Sequence, residues 1–226
     1  MTGYRGSRKG LAMQLKSLNI LALGLALILS ACGGDSTTGI PLSPENGQAI
    51  LDAATCDEEK PSTCAGAEQP VFSLEDFQPA SPYFGESYGL ERFQGKVTFV
   101  SLWAAWCGYC RSQAEYMETI LQELQGLGVD INVVSINVTT GVDSQALLAD
   151  SCSFPLIQDT DEIGAWNLMN GNKDDMFVYD AEGKLLVYLP AASAVATNLS
   201  TDQGYANVRD LLYVVAPPAA DAENAE

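Results

Sequence analysis

Two cysteines three positions apart, Cys107 and Cys110, are the residues of this 226-residue sequence best suited to chemistry. They stand in the stretch W-C-G-Y-C, shortly after an apolar, β-branched run at residues 97–102 that is typical of a buried strand. Two thiols at this spacing can form and open a disulfide reversibly. The sequence therefore predicts a redox-active pair.

The residues after Cys110 predict the element that positions this pair. Apolar side chains follow it at spacings of three and four, at Ala114, Met117, Leu121 and Leu124. This period indicates an amphipathic helix with Cys107 at its N-terminus. Unpaired backbone N–H groups and the helix dipole favour a thiolate there, so Cys107 is the expected nucleophile and Cys110 the resolving thiol.

The same pair could instead be half of a zinc site or a fixed structural disulfide. Zinc would need a second pair of Cys or His ligands, and the chain contains no His. A structural staple is disfavoured because Trp-x-x-Trp precedes the pair at a helix N-terminus, which is a redox setting. We therefore expect no metal and no other cofactor.

The first 31 residues have the pattern of a signal peptide. Basic residues precede an apolar run at 18–29 that is short for a membrane span, and Leu29-Ser30-Ala31-Cys32 follows. This tetrapeptide resembles the lipobox of bacterial lipoproteins, in which the Cys carries diacylglycerol. We expect Cys32 to be a lipid anchor in the bacterial cell envelope, facing outside the cytoplasm; the alternative is ordinary cleavage that leaves Cys32 free. Gly33, where Asp would resemble an inner-membrane retention signal, favours the outer membrane of a Gram-negative cell.

The rest of the chain divides into three predicted parts. Residues 32–69 read as a flexible tether with a small loop closed by a Cys56–Cys64 disulfide, because exported proteins meet an oxidising compartment. An alternative role for Cys56 and Cys64 is to relay electrons to the redox pair. Residues 70–215 form the expected domain, and residues 216–226 an acidic, disordered tail.

Within the domain, strand and helix patterns alternate and end in a hairpin and a helix. We expect strands at 70–77, 97–102, 129–136, 154–157, 176–179 and 185–189, and further helices at 142–149, 161–169 and from an N-cap at Thr201 to about residue 215. This order predicts an α/β sandwich in which helices flank a mixed sheet.

The acidic net charge of the chain disfavours polyanionic partners. The formal net charge is −18, and the predicted signal peptide holds four of the basic residues, Arg5, Arg8, Lys9 and Lys16. The remainder is more acidic still, so nucleic acids and anionic lipid surfaces are poor partners.

Two motifs carry a family resemblance. The stretch around W-C-G-Y-C resembles the thioredoxin superfamily, and residues 159–190, with N-G-N-K-D-D before a strand, resemble the thioredoxin-like N-terminal domain of selenoprotein P. The resemblance implies a thioredoxin-like fold in which Cys107 matches the selenocysteine position and Cys110 the second position. It also implies that partners are protein or small-molecule thiols and disulfides, with a separate redox partner for recycling. The selenium-carrying tail and His-rich region of that family have no counterpart, so selenium transport is not implied.

Departures from ordinary thioredoxins concern the proton acceptor. Ser101 replaces the buried Asp, and the cis-Pro that faces the disulfide is absent, with Asp174 close to its place. Asp174 or Asp175 could accept the proton of Cys110, although a solvated turn explains both residues as well. Cys152 is expected to be a buried, inert thiol. The three tryptophans are expected to pack around the site: Trp103, Trp106 and Trp166.

These observations predict a lipid-anchored thiol–disulfide oxidoreductase whose direction, reduction or oxidation, is not visible in the sequence. A second enzymatic hypothesis is a thiol peroxidase, in which Cys107 passes through a sulfenic acid. A third hypothesis, from another class, is a tethered binding module that has kept its cysteines without using them.

Overall fold

The computed structural model describes residues 39–54 and 56–218. The predicted signal peptide, Cys32 and most of the predicted acidic tail lie outside these residues. In chain order the elements are α1 (Pro44–Asp52), β1 (Leu74–Glu75), β2 (Ser87–Tyr88), β3 (Thr98–Trp103), α2 (Gly108–Gly126), β4 (Asn132–Asn137), α3 (Gln145–Ala149), β5 (Leu156–Gln158), α4 (Ala165–Leu168), β6 (Met176–Tyr179), β7 (Leu185–Leu189) and α5 (Asp202–Val215). No helix within the described ranges is both long and apolar enough to cross a membrane.

Five strands form one mixed sheet in the order β5-β4-β3-β6-β7. Strands β3, β4 and β5 run parallel, whereas β6 pairs antiparallel with both β3 and β7. The predicted α/β, thioredoxin-like sandwich is confirmed. Strands β6 and β7 and helix α5 have the bounds that the sequence predicts, and the Thr201 hydroxyl accepts from the Gly204 N–H at 3.1 Å.

The central strand β3 is buried along its whole length because apolar layers cover both faces of the sheet. Phe99 and Trp103 belong to the cluster that contains Cys110 and the apolar sides of α2 and α5. Val100 and Leu102 belong to the cluster on the opposite face. The turn after β3 therefore rests on a fully packed strand, which fixes the start of α2.

The segment before residue 70 differs from the predicted flexible tether. Helix α1 packs on α5, and Ile50 is buried in the shared core. The buried guanidinium of Arg209 donates to the carbonyls of Ile40 and Pro41, each at 2.7 Å, and to Glu123 at 3.1 Å. Residues 40–52 are thus packed against the domain, because α5 presents both apolar surface and a buried cation that this segment covers.

Candidate redox site

Cys107 is the N-cap residue of α2, where its Sγ accepts a hydrogen bond from the Cys110 N–H at 3.4 Å. The turn that leads to it is held from two sides. The Cys107 N–H donates to the Ala104 carbonyl at 2.9 Å, and the Ala105 N–H donates to Asn137 Oδ1 at the end of β4, also at 2.9 Å. The ends of β3 and β4 therefore place the first thiol at the helix N-terminus, as the sequence predicts.

The two thiols have different surroundings although both are free. Cys107 is partly exposed, whereas Cys110 is fully buried and its Sγ lies 3.1 Å from Asp174 Oδ1. Burial raises the pKa of Cys110, and the hydrogen bond with Asp174 raises it further. Burial also acts upward on the pKa of Cys107, but its hydrogen-bonding interactions with Cys110 and the charge of Lys173 outweigh burial, so that the pKa of Cys107 is lowered. This difference suits Cys107 to attack and Cys110 to wait as a thiol.

Lys173 is the residue of this site that the sequence reasoning missed. Its Nζ lies 3.8 Å from the Sγ of Cys107 and 3.8 Å from the Sγ of Cys110, and it forms an ion pair with Asp174. The same ammonium lies over the Tyr109 ring, 5.6 Å from the ring centroid. Lys173 stands inside the motif that carries the family resemblance, but its separation from Cys107 by 66 positions hides the contact in the sequence.

The short loop at residues 172–175 is tied to the end of β3. The Asp174 N–H donates to the Leu102 carbonyl at 2.8 Å, and the Leu102 N–H donates to the Asp175 carbonyl at 3.0 Å. Asp174 has a positive φ of 72°, a conformation that Asp adopts more readily than most residues do. The loop therefore turns the Asp174 carboxylate toward the thiols.

Asp175 is placed differently from Asp174. Its buried carboxylate accepts from the Asn172 N–H at 2.7 Å, the Tyr188 hydroxyl at 2.6 Å and the Ala191 N–H at 2.9 Å. Within residues 39–54 and 56–218, neither thiol is among its hydrogen-bond partners. The predicted pair of proton acceptors thus divides: Asp174 contacts Cys110, whereas Asp175 holds the loop.

The Cys56–Cys64 loop contacts the chain just before the loop at residues 172–175. Its two cysteines are joined in a disulfide. Ser62 within the loop donates to the Met169 carbonyl at 3.1 Å and accepts from Asn170 Nδ2 at 2.6 Å. Cys56 and Asn172 line one cavity of about 340 Å³, so the disulfide loop lies beside the loop that carries Lys173 and Asp174.

Of the three tryptophans expected around the two thiols, two lie near them and one does not. Trp106 is 51% exposed and donates to Thr140 Oγ1 at 3.2 Å, while Trp103 is buried beneath the site. Trp166 was expected at the site, but it packs on the opposite face of the sheet and donates to the Ile136 carbonyl.

Ser101 is buried in β3, and among the described residues its Oγ has no hydrogen-bond partner. Cys152 packs at the edge of the core near Gln78, and burial raises the pKa of its thiol.

Comparison with known protein families assigns the chain that carries this site to one of them. The model of the AhpC/TSA family matches residues 65–187, which include both thiols and the loop opposite them. The chain belongs to the AhpC/TSA family. This membership agrees with the thioredoxin-like resemblance of the sequence, which is confirmed.

Individual relatives match parts of this AhpC/TSA member. Selenoprotein P of Mus musculus is 32% identical over 131 residues, which are 55% of this chain and 34% of that protein. The thiol-disulfide oxidoreductase ResA of Bacillus subtilis is 28% identical over 115 residues, 51% of this chain and 60% of ResA. The chain therefore matches about a third of one relative and three fifths of the other.

A solved structure shows the same fold. The solution structure of a thiol:disulfide interchange protein from Bacteroides sp. superposes with a TM-score of 0.52, at 14% identity, over 71% of this chain and 95% of that one. The thioredoxin-like arrangement is thus shared by chains with little sequence in common.

Proposed function

We propose that this protein is a thiol–disulfide oxidoreductase in which Cys107 and Cys110 are the reacting pair. One observation carries the proposal: a partly exposed thiol caps a helix N-terminus, and a buried thiol one turn later contacts a carboxylate. This arrangement separates a nucleophile from a resolving group. The name of the relative ResA, a thiol-disulfide oxidoreductase, supports the same activity.

The steps follow from the two environments. In the reducing direction, the Cys107 thiolate attacks a substrate disulfide, forms a mixed disulfide and releases one substrate thiolate. Cys110 then gives its proton to Asp174 and attacks Cys107 Sγ, which releases the second substrate thiolate. That thiolate takes up the proton released by Asp174, which restores the carboxylate, and the pair is left oxidised. Run backwards, the same steps oxidise a substrate dithiol. A recycling partner that exchanges thiols is needed in either direction.

We also propose that the protein works outside the cytoplasm as a lipid-anchored protein of a bacterial envelope. The pattern of residues 1–31 and the lipobox-like sequence before Cys32 support this location. Gly33 favours the outer membrane if the host has one. Expression of Cys32→Ala should release the protein from the membrane fraction, and a membrane fraction unchanged by this substitution would contradict the anchor.

The activity is tested with two substitutions and a matched control. Cys110→Ser should accumulate mixed disulfides between Cys107 and substrate, because the resolving thiol is missing, whereas Cys107→Ser should form none. Cys152→Ser removes a thiol outside the site and should leave reduction of a model protein disulfide unchanged. A Cys107–Cys110 pair that never equilibrates with glutathione or dithiothreitol would overturn the proposal.

The same variants distinguish the other two functions. A thiol peroxidase would consume hydroperoxide at the expense of added thiol, and would pass through a sulfenic acid at Cys107 that a dimedone probe labels. A tethered binding module would keep its cellular role in the Cys107→Ser variant. The oxidoreductase proposal expects slow peroxide turnover and loss of the cellular role in that variant.

A further inference from the structure

We propose that Lys173 is a third catalytic residue of this site: its ammonium stabilises negative charge on Cys107 Sγ whenever that sulfur attacks or leaves, and Asp174 moderates this effect. The inference rests on the proposed thiol–disulfide chemistry and adds a residue to it. Two independent observations carry it, namely the distances from Lys173 to both sulfurs and the restraints that keep the ammonium there.

The position of the ammonium fits a shared counter-ion. Lys173 Nζ is equidistant from the two sulfurs, at 3.8 Å from each, which is within the range of a hydrogen bond to sulfur. Cys107 is partly exposed and Cys110 is buried, so the ammonium sits at the boundary between solvent and core. A cation at this distance favours the charged form of a thiol.

Two groups restrain the Lys173 side chain, and the loop that carries it is also fixed. The Asp174 carboxylate pairs with the ammonium, which lies over the Tyr109 ring at 5.6 Å from the ring centroid. The backbone of the adjoining loop is bonded to Leu102 on β3. Because a long side chain normally loses conformational entropy when it is fixed, these restraints reduce the cost of holding the charge at the thiols.

The charged and titratable groups around Cys107 come from two elements. Helix α2 contributes Cys110, Tyr109 and Arg111, and the opposite loop contributes Lys173 and Asp174. The Arg111 guanidinium is directed to the Ala105 carbonyl at 3.2 Å. Lys173 is therefore the cation that contacts the sulfur, and Asp174 is the anion that opposes thiolate formation there.

Asp174 couples the deprotonation of Cys110 to the stabilisation of charge on Cys107 Sγ, because it forms the ion pair with Lys173. While Asp174 is ionised, it shares the ammonium with Cys107 and limits the stabilisation of the thiolate. When Asp174 accepts the proton of Cys110, its own negative charge is neutralised and the ammonium is left to the sulfurs. Cys107 Sγ is then attacked by the Cys110 thiolate within reach of an unshared cation, and no other co-reactant is required.

The test measures alkylation of Cys107 by iodoacetamide against pH in the reduced full-length protein, with peptide mass spectrometry to identify the thiol. Lys173→Met should slow alkylation about tenfold at pH values below the wild-type midpoint, and should move the midpoint to higher pH. The glutathione equilibrium should shift up to tenfold toward the disulfide, about 30 mV more reducing. Lys173→Arg keeps the charge and should restore alkylation to within about threefold of the wild type.

Two further variants make the result decisive. Asp174→Asn should move the Cys107 midpoint in the opposite direction, to lower pH, because the competing anion is removed. Lys96→Met removes a cation from an exposed ion pair with Asp130 at the opposite end of β3 and should leave the profile unchanged.

The proposal is overturned if Lys173→Met reproduces the wild-type profile, or if Lys173→Arg behaves like Lys173→Met. If Lys173→Met does not fold, as judged by circular dichroism, Lys173→Gln takes its place as the variant without the charge, and a wild-type profile in Lys173→Gln overturns the proposal. Failure of the wild-type protein to reduce or oxidise any disulfide would overturn the proposed function, whereas the alkylation profile would still report whether Lys173 acts on Cys107.

Discussion

At the scale of single residues, the site depends on a difference in pKa between two cysteines in one helical turn. Cys107 receives an N–H at the helix N-terminus and faces Lys173, while Cys110 is buried against a carboxylate. Both are thiols of the same intrinsic acidity, so the difference arises from burial, hydrogen bonds and nearby charge. The two thiols should therefore ionise in a fixed order.

The pH dependence of the reduced protein follows from this order. The pKa of Cys107 is lowered and that of Cys110 is raised, so Cys107 should be alkylated at a pH below the ordinary thiol range of about 8.5 and Cys110 only above it. Peptide mass spectrometry after timed iodoacetamide treatment separates the two. In urea both thiols should react with the same pH midpoint, and earlier alkylation of Cys110 in the folded protein would contradict the assignment.

The pKa shifts of the cysteines also determine how the free energy of unfolding changes with pH. A thiol with a lowered pKa stabilises the folded state above its unfolded pKa and loses that contribution as the pH falls through its folded pKa, which applies to Cys107. Cys110 and Cys152 have raised pKa values, so their contribution is present below the unfolded pKa and is lost as the pH rises above about 8.5. Urea unfolding of the reduced protein should therefore show stability declining above that pH, with a smaller decline in Cys152→Ala.

At the scale of elements, a buried charge cluster joins α5 to α2 and to the segment before α1. Arg209 is fully buried and donates to Glu123, Asp210 and the carbonyls of Ile40 and Pro41. Glu123 also accepts from the Tyr205 hydroxyl at 2.7 Å. A buried cation with so many partners is costly to remove because the groups left behind remain desolvated.

Arg209→Met should reduce the free energy of unfolding by about 3–5 kcal/mol, since it leaves two buried carboxylates without their cation. Urea denaturation followed by tryptophan fluorescence measures this loss. Lys184→Met, which breaks an exposed pair with Glu68, is the matched control and should cost less than about 1 kcal/mol. Equal losses in the two variants would show that the cluster does not stabilise the packing of α5.

The Cys56–Cys64 disulfide closes a short loop that contacts Met169 and Asn170, just before the loop at residues 172–175. Cys56→Ser/Cys64→Ser should lower the free energy of unfolding by about 2–3 kcal/mol, the value expected for a loop of this length. Because Ser62 would lose its fixed position against Met169 and Asn170, the variant should also change the alkylation rate of Cys107. An unchanged rate with lowered stability would limit the disulfide to a purely structural role.

At the scale of the whole molecule, the domain extends further toward the N-terminus than the composition of the chain indicates. Residues 44–52 form a helix against α5, and the disulfide loop follows it. Residues 40–52 therefore belong to the folded unit.

Two fragments test how much this N-terminal segment contributes to stability. Residues 39–218 should fold and keep the reduction potential of the full chain, whereas residues 70–218 should lose at least about 3 kcal/mol of stability because Arg209 loses its two carbonyl partners and α5 loses its cover. Urea unfolding of both fragments gives the comparison. Equal stability would mean that α1 is dispensable.

The sequence by itself determined the local features of this protein. The C-x-x-C pair, the amphipathic period of α2, the Thr201 cap and the apolar and aromatic runs of β6 and β7 depend on neighbours in the chain, so their positions were predicted. The tertiary structure alone decided which distant residues meet. It brought Lys173 to two thiols more than 60 residues away, assigned contact with Cys110 to Asp174 and loop support to Asp175, moved Trp166 to the other face, and packed α1 on α5. These contacts depend on how strands β3 and β6 align and on which surfaces they bury, and no local pattern in the sequence records that alignment.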